Sequence, residues 1–438
     1  MTRFRSFAAV LATMALLAGC SAGTAPATSA PSRVPSRPPA PVTVPQSTPV
    51  AEDVLILRRL ASDAYGAYTM MFGRNGEQLF NLPDGAAARG FRTIAAATRS
   101  GDKTAVQLLS GEGGELQAQA SIGGAWRLPA MGLVKRPAGV SADGRTVVLE
   151  QARETTTSPS RTSFAVVKVG NPTKTSTFSL DGDFSFDALS PDGSWLYVIE
   201  HRDGGTYRVR RADPVLGKLD DAVIVDKRSP GEVMSGYALT QLAAEDGWVY
   251  TVYAGADGLF IHALNTVDGV AFCIDLPRGD HAEATDATLA SWALALGRNG
   301  HTLYAANGAL GSISEISLDD FAVTRTVAVP KQVGAITLAK FEHGEWNDAG
   351  SAAVSPDGKV LYVAGPHGVT ALETSKLSPI GVLGGDREYR SVTVGLTENV
   401  YAVDTAGALS RLGTPASPSH TRLGDDAYAS IEGVLSLR

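Results

Sequence analysis

The chain has 438 residues, 44% hydrophobic and 19% charged, which is enough apolar matter for a large core without staples. Its net charge of −7 leaves no basic face of the kind that tracks a phosphate backbone, which excludes a nucleic-acid partner. Only two cysteines occur, Cys20 and Cys273, in unlike contexts, which excludes a disulfide framework.

Arg3 and Arg5 open the chain, residues 7–17 form an apolar run too short to span a bilayer, and Ala18 and Gly19 lead into Cys20. That order predicts an export signal over residues 1–19 rather than a transmembrane helix. Leu17-Ala18-Gly19-Cys20 resembles a bacterial lipobox. The resemblance implies diacylglycerol transfer to the Cys20 thiol, cleavage before it, and a membrane anchor of the palmitate kind at the new N-terminus. Two or more acyl chains hold a soluble domain far more firmly than one.

Residues 20–50 carry prolines at 26, 31, 35, 38, 39, 41, 45 and 49 among Ser, Thr and Ala. Such a stretch buries too little apolar surface to fold, and its prolines favour extended conformations. It is read as a tether that holds residues 51–438 away from a membrane.

From residue 51 onward, short β-rich runs alternate with Gly, Asp, Asn and Pro turns, with no long amphipathic helical pattern. One phrase recurs: Gly139-Val-Ser-Ala-Asp-Gly144 before Thr146-Val-Val-Leu149, Ala188-Leu-Ser-Pro-Asp-Gly193 before Trp195-Leu-Tyr-Val198, and Ala353-Val-Ser-Pro-Asp-Gly358 before Val360-Leu-Tyr-Val363. Looser copies are Ala244-Glu-Asp-Gly247 with Trp248-Val-Tyr250, and Leu296-Gly-Arg-Asn-Gly300 with Thr302-Leu-Tyr304. The turn glycines at 144, 193, 247, 300 and 358 are spaced by 49, 54, 53 and 58 residues, the period of propeller blades. In each turn the aspartate bonds back to the chain and glycine accepts positive φ, so the flanking runs pair as a hairpin.

The phrase resembles the SPDG and YVTN-type, WD-like repeats of bacterial β-propellers, over most of residues 54–438. The resemblance implies an all-β propeller of four-stranded antiparallel blades. Inner strands are expected near residues 92, 137, 186, 237, 290, 350, 390 and 430, which gives eight blades, or seven if the two weak units near Phe91 and Tyr389 do not both count. Residues 53–83 read as the later strands of a blade without a first strand, and residues 428–437 as a first strand without the rest. The two ends are therefore expected to complete one blade and close the ring, removing exposed sheet edges and leaving a monomer.

Signatures of common enzyme classes are absent: no Gly-x-Ser-x-Gly, no His-Glu-x-x-His, no phosphate-binding glycine loop and no paired Cys-x-x-Cys. One pattern occurs twice, His281-Ala-Glu283-Ala-Thr-Asp286 and His343-Gly-Glu345-Trp-Asn-Asp348, each before a new inner strand. Imidazole and carboxylates suit a divalent metal such as zinc or manganese, or acid–base work, so these six residues are the metal candidates; solvated loop residues give the same pattern. Trp346 within the second loop is a candidate binding platform. Trp126, Trp195, Trp248 and Trp292 are expected to pack between sheets, Cys273 to act as a small buried hydrophobe, and His201 and His367 to occupy polar turns.

Two functions follow. The first is a membrane-anchored extracytoplasmic scaffold whose loops bind a protein, peptide or glycan. The second is an extracytoplasmic enzyme or small-ligand or metal receptor with its site at the channel mouth.

Overall fold

In the computed structural model the described residues are 53–59, 68–132, 136–152, 160–231, 233–244, 246–255, 258–277, 289, 291–307, 310–329, 351–385, 387–423 and 431–437. They build eight four-stranded antiparallel sheets arranged as a β-propeller. The strands run from the channel outward in sequence order in every blade but the first. Among the described residues no helix is long and apolar enough to cross a membrane.

The strand sequences reflect their depth in a blade. Second strands such as Leu196–His201, Thr302–Asn307, Val360–Gly365 and Val400–Asp404 read as nearly continuous apolar runs. Both faces of a blade are covered by its neighbours, so alternation has no advantage there. Outer strands lose one or both covers. Ala322–Ala328 alternates between exposed and half-buried positions, and Lys174–Asp181 is exposed over most of its length.

The repeated turn is one hydrogen-bonded unit. In blade 4, Ser190 Oγ donates to Asp192 Oδ1 at 2.8 Å and accepts the Trp195 N–H at 2.9 Å. The Ser194 N–H reaches Asp192, and the Gly193 N–H closes on the Ser190 carbonyl. Ser141–Asp143 and Ser355–Asp357 repeat the set. The five turn glycines all take positive φ, between 65° and 87°. In blade 8 the corresponding turn places Glu398, at a φ of 65°, where those five turns place glycine.

Blade 1 is shared by both ends of the chain. Its inner strand Ile431–Leu437 pairs antiparallel with Val54–Arg59, followed outward by Tyr68–Phe72 and Gln78–Leu82. The expected closure is therefore present, and the blade count is eight. Interfaces between blades hold the core. Between blades 5 and 6, Trp248 and Phe272 meet Trp292 and Phe321, with Phe272 and Phe321 stacked at 4.3 Å between ring centroids.

Two details differ from the sequence reading. The strand near residue 92 is the second of blade 2: Thr93–Ser100 pairs inward with a two-residue inner strand, Ala86–Ala87. In blade 3, Pro137 is not in the inner ladder. That ladder is split between Trp126–Arg127 and residues 139–140, and between these the chain leaves it to pair Ala130–Met131 with Arg136–Pro137 as a small hairpin. Pro129 and Pro137 have no N–H to offer the ladder, which is why the chain departs between them.

The outer strand of blade 4 ends at Ile224. The chain then crosses to the outer strand of blade 5, where Asp226 bridges to Ala271, before Met234–Ser235 returns to pair with blade 4. This strap is pinned by an ion pair to a buried carboxylate. Arg228 Nη2 lies 3.1 Å from Asp226 Oδ2, Arg228 also donates to the carbonyls of Cys273 and Phe321, and the Cys273 N–H donates to Asp226 at 2.9 Å. Burial raises the Asp226 carboxyl, but the bonds from Arg228 and Cys273 outweigh it and hold its pKa below the ordinary range.

Candidate functional site

The inner strands of successive blades line a central channel. The blade 3 hairpin enters it: Met131 packs with Phe184 and Phe186 of blade 4, and Gly132 comes against the Leu239 backbone of blade 5. An added Cβ at Gly132 would sit 2.9 Å from the Leu239 carbonyl oxygen. The hairpin thereby divides the channel into two chambers.

The outer chamber opens among the turns that join inner to second strands in blades 2 to 5 and has a volume of about 380 Å³. Its walls are mainly apolar, with Phe91, Met131, Phe186, Leu189 and Trp248 among them, plus the alanines of the turns. Two charged side chains line it, Arg89 from the blade 2 turn and Arg136 from the hairpin. No Asp or Glu does so among the described residues. The inner chamber, about 190 Å³, is more polar and lies among the inner strands of blades 5 to 8. Arg136, Thr240 and Gln241 line both chambers and so form the partition. In the inner chamber Ser351 Oγ bridges to blade 8, donating to the Val392 carbonyl and accepting its N–H, each at 3.1 Å.

A buried acid stands behind the wall. The inner strand of blade 4 skips register between Phe186 and Ala188, which both line the outer chamber, and Asp187 is the extra residue. Such a bulge turns one side chain away from its neighbours. Gln241 Nε2 donates to the Asp187 carbonyl at 3.2 Å and to Thr251 Oγ1 at 3.0 Å, and stands 3.5 Å from Asp187 Oδ1. Asp187 is 1% exposed, and its Oδ2 has no hydrogen-bond partner among the described residues. Burial pushes its pKa up to about 7, because an unpaired carboxylate loses its hydration.

His281, Glu283, Asp286, His343, Glu345, Trp346, Asp348 and Cys20 lie outside the described residues. Among the described residues no group of three or more His, Cys, Asp or Glu is arranged to hold a metal. His201 is the last residue of the strand Leu196–His201, just before the polar turn rather than in it, with Nε2 2.9 Å from Ser185 Oγ, and His367 lies in the two-residue turn between Val360–Gly365 and Gly368–Glu373. Trp248 and Trp292 are buried between blades, while Trp195 is half-buried beneath the Arg211 guanidinium, 4.4 Å from its ring. Cys273 is half-buried rather than buried. Its strand is the outer one of blade 5, and the residue lines an open rim cleft of about 780 Å³ beside the strap.

Sequence reasoning missed Arg89, Arg136 and Asp187. Asp187 does leave a trace, as the one acid in the run Phe184-Ser-Phe-Asp-Ala-Leu189. The arginines leave none, since the chamber that unites them is built by a hairpin from a third blade.

No family model and no curated protein matches the chain. Solved structures do. Apo AztD of Citrobacter koseri aligns over 87% of this chain and 97% of its own at 12% identity, with a TM-score of 0.50. A candidate 6-phosphogluconolactonase of Bacteroides fragilis aligns over 90% and 99% at 14% identity and a TM-score of 0.42. A protein of unknown function from Desulfotomaculum acetoxidans aligns over 76% and 95% at 13% identity and a TM-score of 0.39. At these identities the likeness is one of fold.

Proposed function

We propose that the protein is a membrane-anchored, extracytoplasmic binding module. A lipid on Cys20 holds the chain to a membrane, residues 20–50 act as its tether, and the propeller captures a protein, peptide or glycan partner, or a small ligand, at the mouth of its channel. The observation that carries the binding role is the outer chamber. Turns from four adjacent blades and a hairpin that departs from the blade pattern converge on one largely apolar recess, the usual form of a ligand site. Its size favours a partner that inserts a compact group over one that lies flat across the face.

Two experiments test this reading. Replacing Cys20 (Cys20→Ala) is expected to abolish acyl labelling and move the protein from the membrane fraction to the soluble one; retention in the membrane overturns the anchor. For the site, melting of residues 51–438 is followed with defined glycans, peptides and amphiphiles beside Ala142→Trp, which fills the half-buried rim of the chamber. A partner bound there stabilises the parent and not the variant. Equal stabilisation of both places the contact elsewhere.

A further inference from the structure

We infer that the outer chamber binds an uncharged, mainly apolar molecule with one oxygen acceptor, which the Thr240 hydroxyl takes up; this rests on the binding-module reading and names the class of its ligand. The polar side chains of the wall carry the argument. Arg89 and Arg136 are each already engaged within the protein. Gln241 is held by the Asp187 carbonyl and Thr251 Oγ1, and Thr266 Oγ1 donates to the Gly247 carbonyl at 2.6 Å. Among the described lining, the polar side-chain groups that remain for a ligand are neutral, the Thr240 hydroxyl and the Trp248 ring N–H. An ion entering the chamber would lose its hydration with no spare counter-charge to replace it. A sugar or peptide would bring more donors and acceptors than two groups can match, and a buried polar atom left unmatched is costly. A neutral apolar molecule with one acceptor avoids both costs.

Size and position assign the rest. The blade 3 hairpin floors the chamber, with Met131 packed on Phe184 and Phe186, and the alanines of the surrounding turns leave the room above it. The 380 Å³ so enclosed hold roughly a dozen water-sized groups at about 30 Å³ each, the size of a small bicyclic compound. Phe91, in the blade 2 turn, joins the wall at a φ of 56°, a conformation that a residue other than glycine keeps only where its surroundings fix it. Tyr68 supplies that support, meeting the Phe91 ring edge-on at 5.8 Å between centroids. Thr240 lines both chambers and so stands at the partition. The acceptor therefore points inward, and the apolar body lies along Phe186 and Trp248 toward Phe91.

The test is calorimetric titration of residues 51–438, which contain every described strand and both partners of the closing ladder. The probes share one ring system: naphthalene, acetylnaphthalene, naphthoate and naphthylmethylammonium. The parent is expected to bind the ketone at least about tenfold more tightly than either ion, and about fivefold more tightly than naphthalene. Thr240→Val should bring the ketone down to the affinity of naphthalene and leave naphthalene unchanged, while Ala142→Trp should abolish binding of both. If the Thr240 variant fails to fold, the ranking of the four probes on the parent decides. Either ion binding as tightly as the ketone, or a ketone advantage that survives Thr240→Val, overturns the inference. If no naphthyl probe binds but a glycan, peptide or other amphiphile stabilises the parent and not Ala142→Trp, the ligand class falls and the binding module stands. If none does so, both fall.

Discussion

The buried carboxylate of Asp53 accepts the hydroxyl of Tyr401 at 2.9 Å, joining residues 348 positions apart in the chain. The same carboxylate accepts the Thr397 N–H at 3.1 Å and the Thr397 hydroxyl, so blade 8 holds the start of blade 1 by three donors. Ring closure thus has two components, the ladder of Val54–Arg59 with Ile431–Leu437 and this polar clasp. Burial, followed by the bond to Asp53, pushes the Tyr401 phenol well above its ordinary pKa.

Removing the clasp is expected to weaken the ring. Tyr401→Phe should cost about 1 kcal/mol, and Asp53→Ala about 3 kcal/mol because several buried donors lose their acceptor. Urea unfolding of both single variants and the double variant gives their coupling; strictly additive losses would show that the two residues act independently. Gly395→Ala offers a separate test. A Cβ there runs into the Asp53 carboxylate, so this substitution should lower stability as Asp53→Ala does.

Gly193 and Gly204 separate two reasons for glycine. Both take positive φ, 65° and 74°, but a Cβ on Gly193 collides with Thr146 of the preceding blade, whereas one on Gly204 meets nothing within 4 Å. Gly204→Ala should therefore cost about 1–2 kcal/mol of backbone strain. Gly193→Ala should cost more, with the excess removed in a Thr146→Gly background, which deletes all three contacting atoms, if the blade contact is its source. Equal losses at the two sites would refute that assignment.

Asp187 and His262 are expected to impose opposite pH dependences. The folded Asp187 holds its proton up to about pH 7 against an ordinary value of 3.8. Between those limits the folded state binds more protons, and its contribution to stability falls by about 1.4 kcal/mol for each pH unit of rise. Burial lowers His262 from 6.5 to about 4, so the unfolded state binds more protons in that window and stability falls as pH drops. The two slopes largely offset each other from pH 4 to 6.5. Relative to the parent, Asp187→Asn should gain stability as pH rises from 4 to 7, and His262→Phe as pH falls from 6.5 to 4. Chemical unfolding across pH 4–8 measures both difference curves, and flat curves would remove these residues as the cause.

The strap of blade 4 depends on one guanidinium. Arg228→Met leaves the buried Asp226 without its cation and frees the carbonyls of Cys273 and Phe321. A loss of about 2 kcal/mol is expected, together with faster hydrogen exchange at the amides of Lys227 and Cys273, which bond across the strap. Faster exchange spread evenly over all eight blades would instead indicate global destabilisation. Thiol labelling of Cys273 should also accelerate, because the residue lines the cleft beside the strap.

The sequence by itself determined the all-β blades, their turns and the meeting of the two chain ends. Those features rest on local chemistry: Ser190, Asp192 and Gly193 define their turn within a few residues, and the apolar run after it can only be a covered strand. Counting such units led to eight blades because each repeats the same short-range rule. Tertiary structure alone decided what occupies the channel. Pro129 and Pro137 mark where the blade 3 ladder breaks, but not that the hairpin between them crosses to Leu239 of blade 5. Arg89 and Arg136 line one chamber only because of that crossing, and Asp187 becomes a buried acid only because Gln241 of the next blade packs over it. Contacts between blades are long-range and set by side-chain fit, so no periodicity in the chain encodes them.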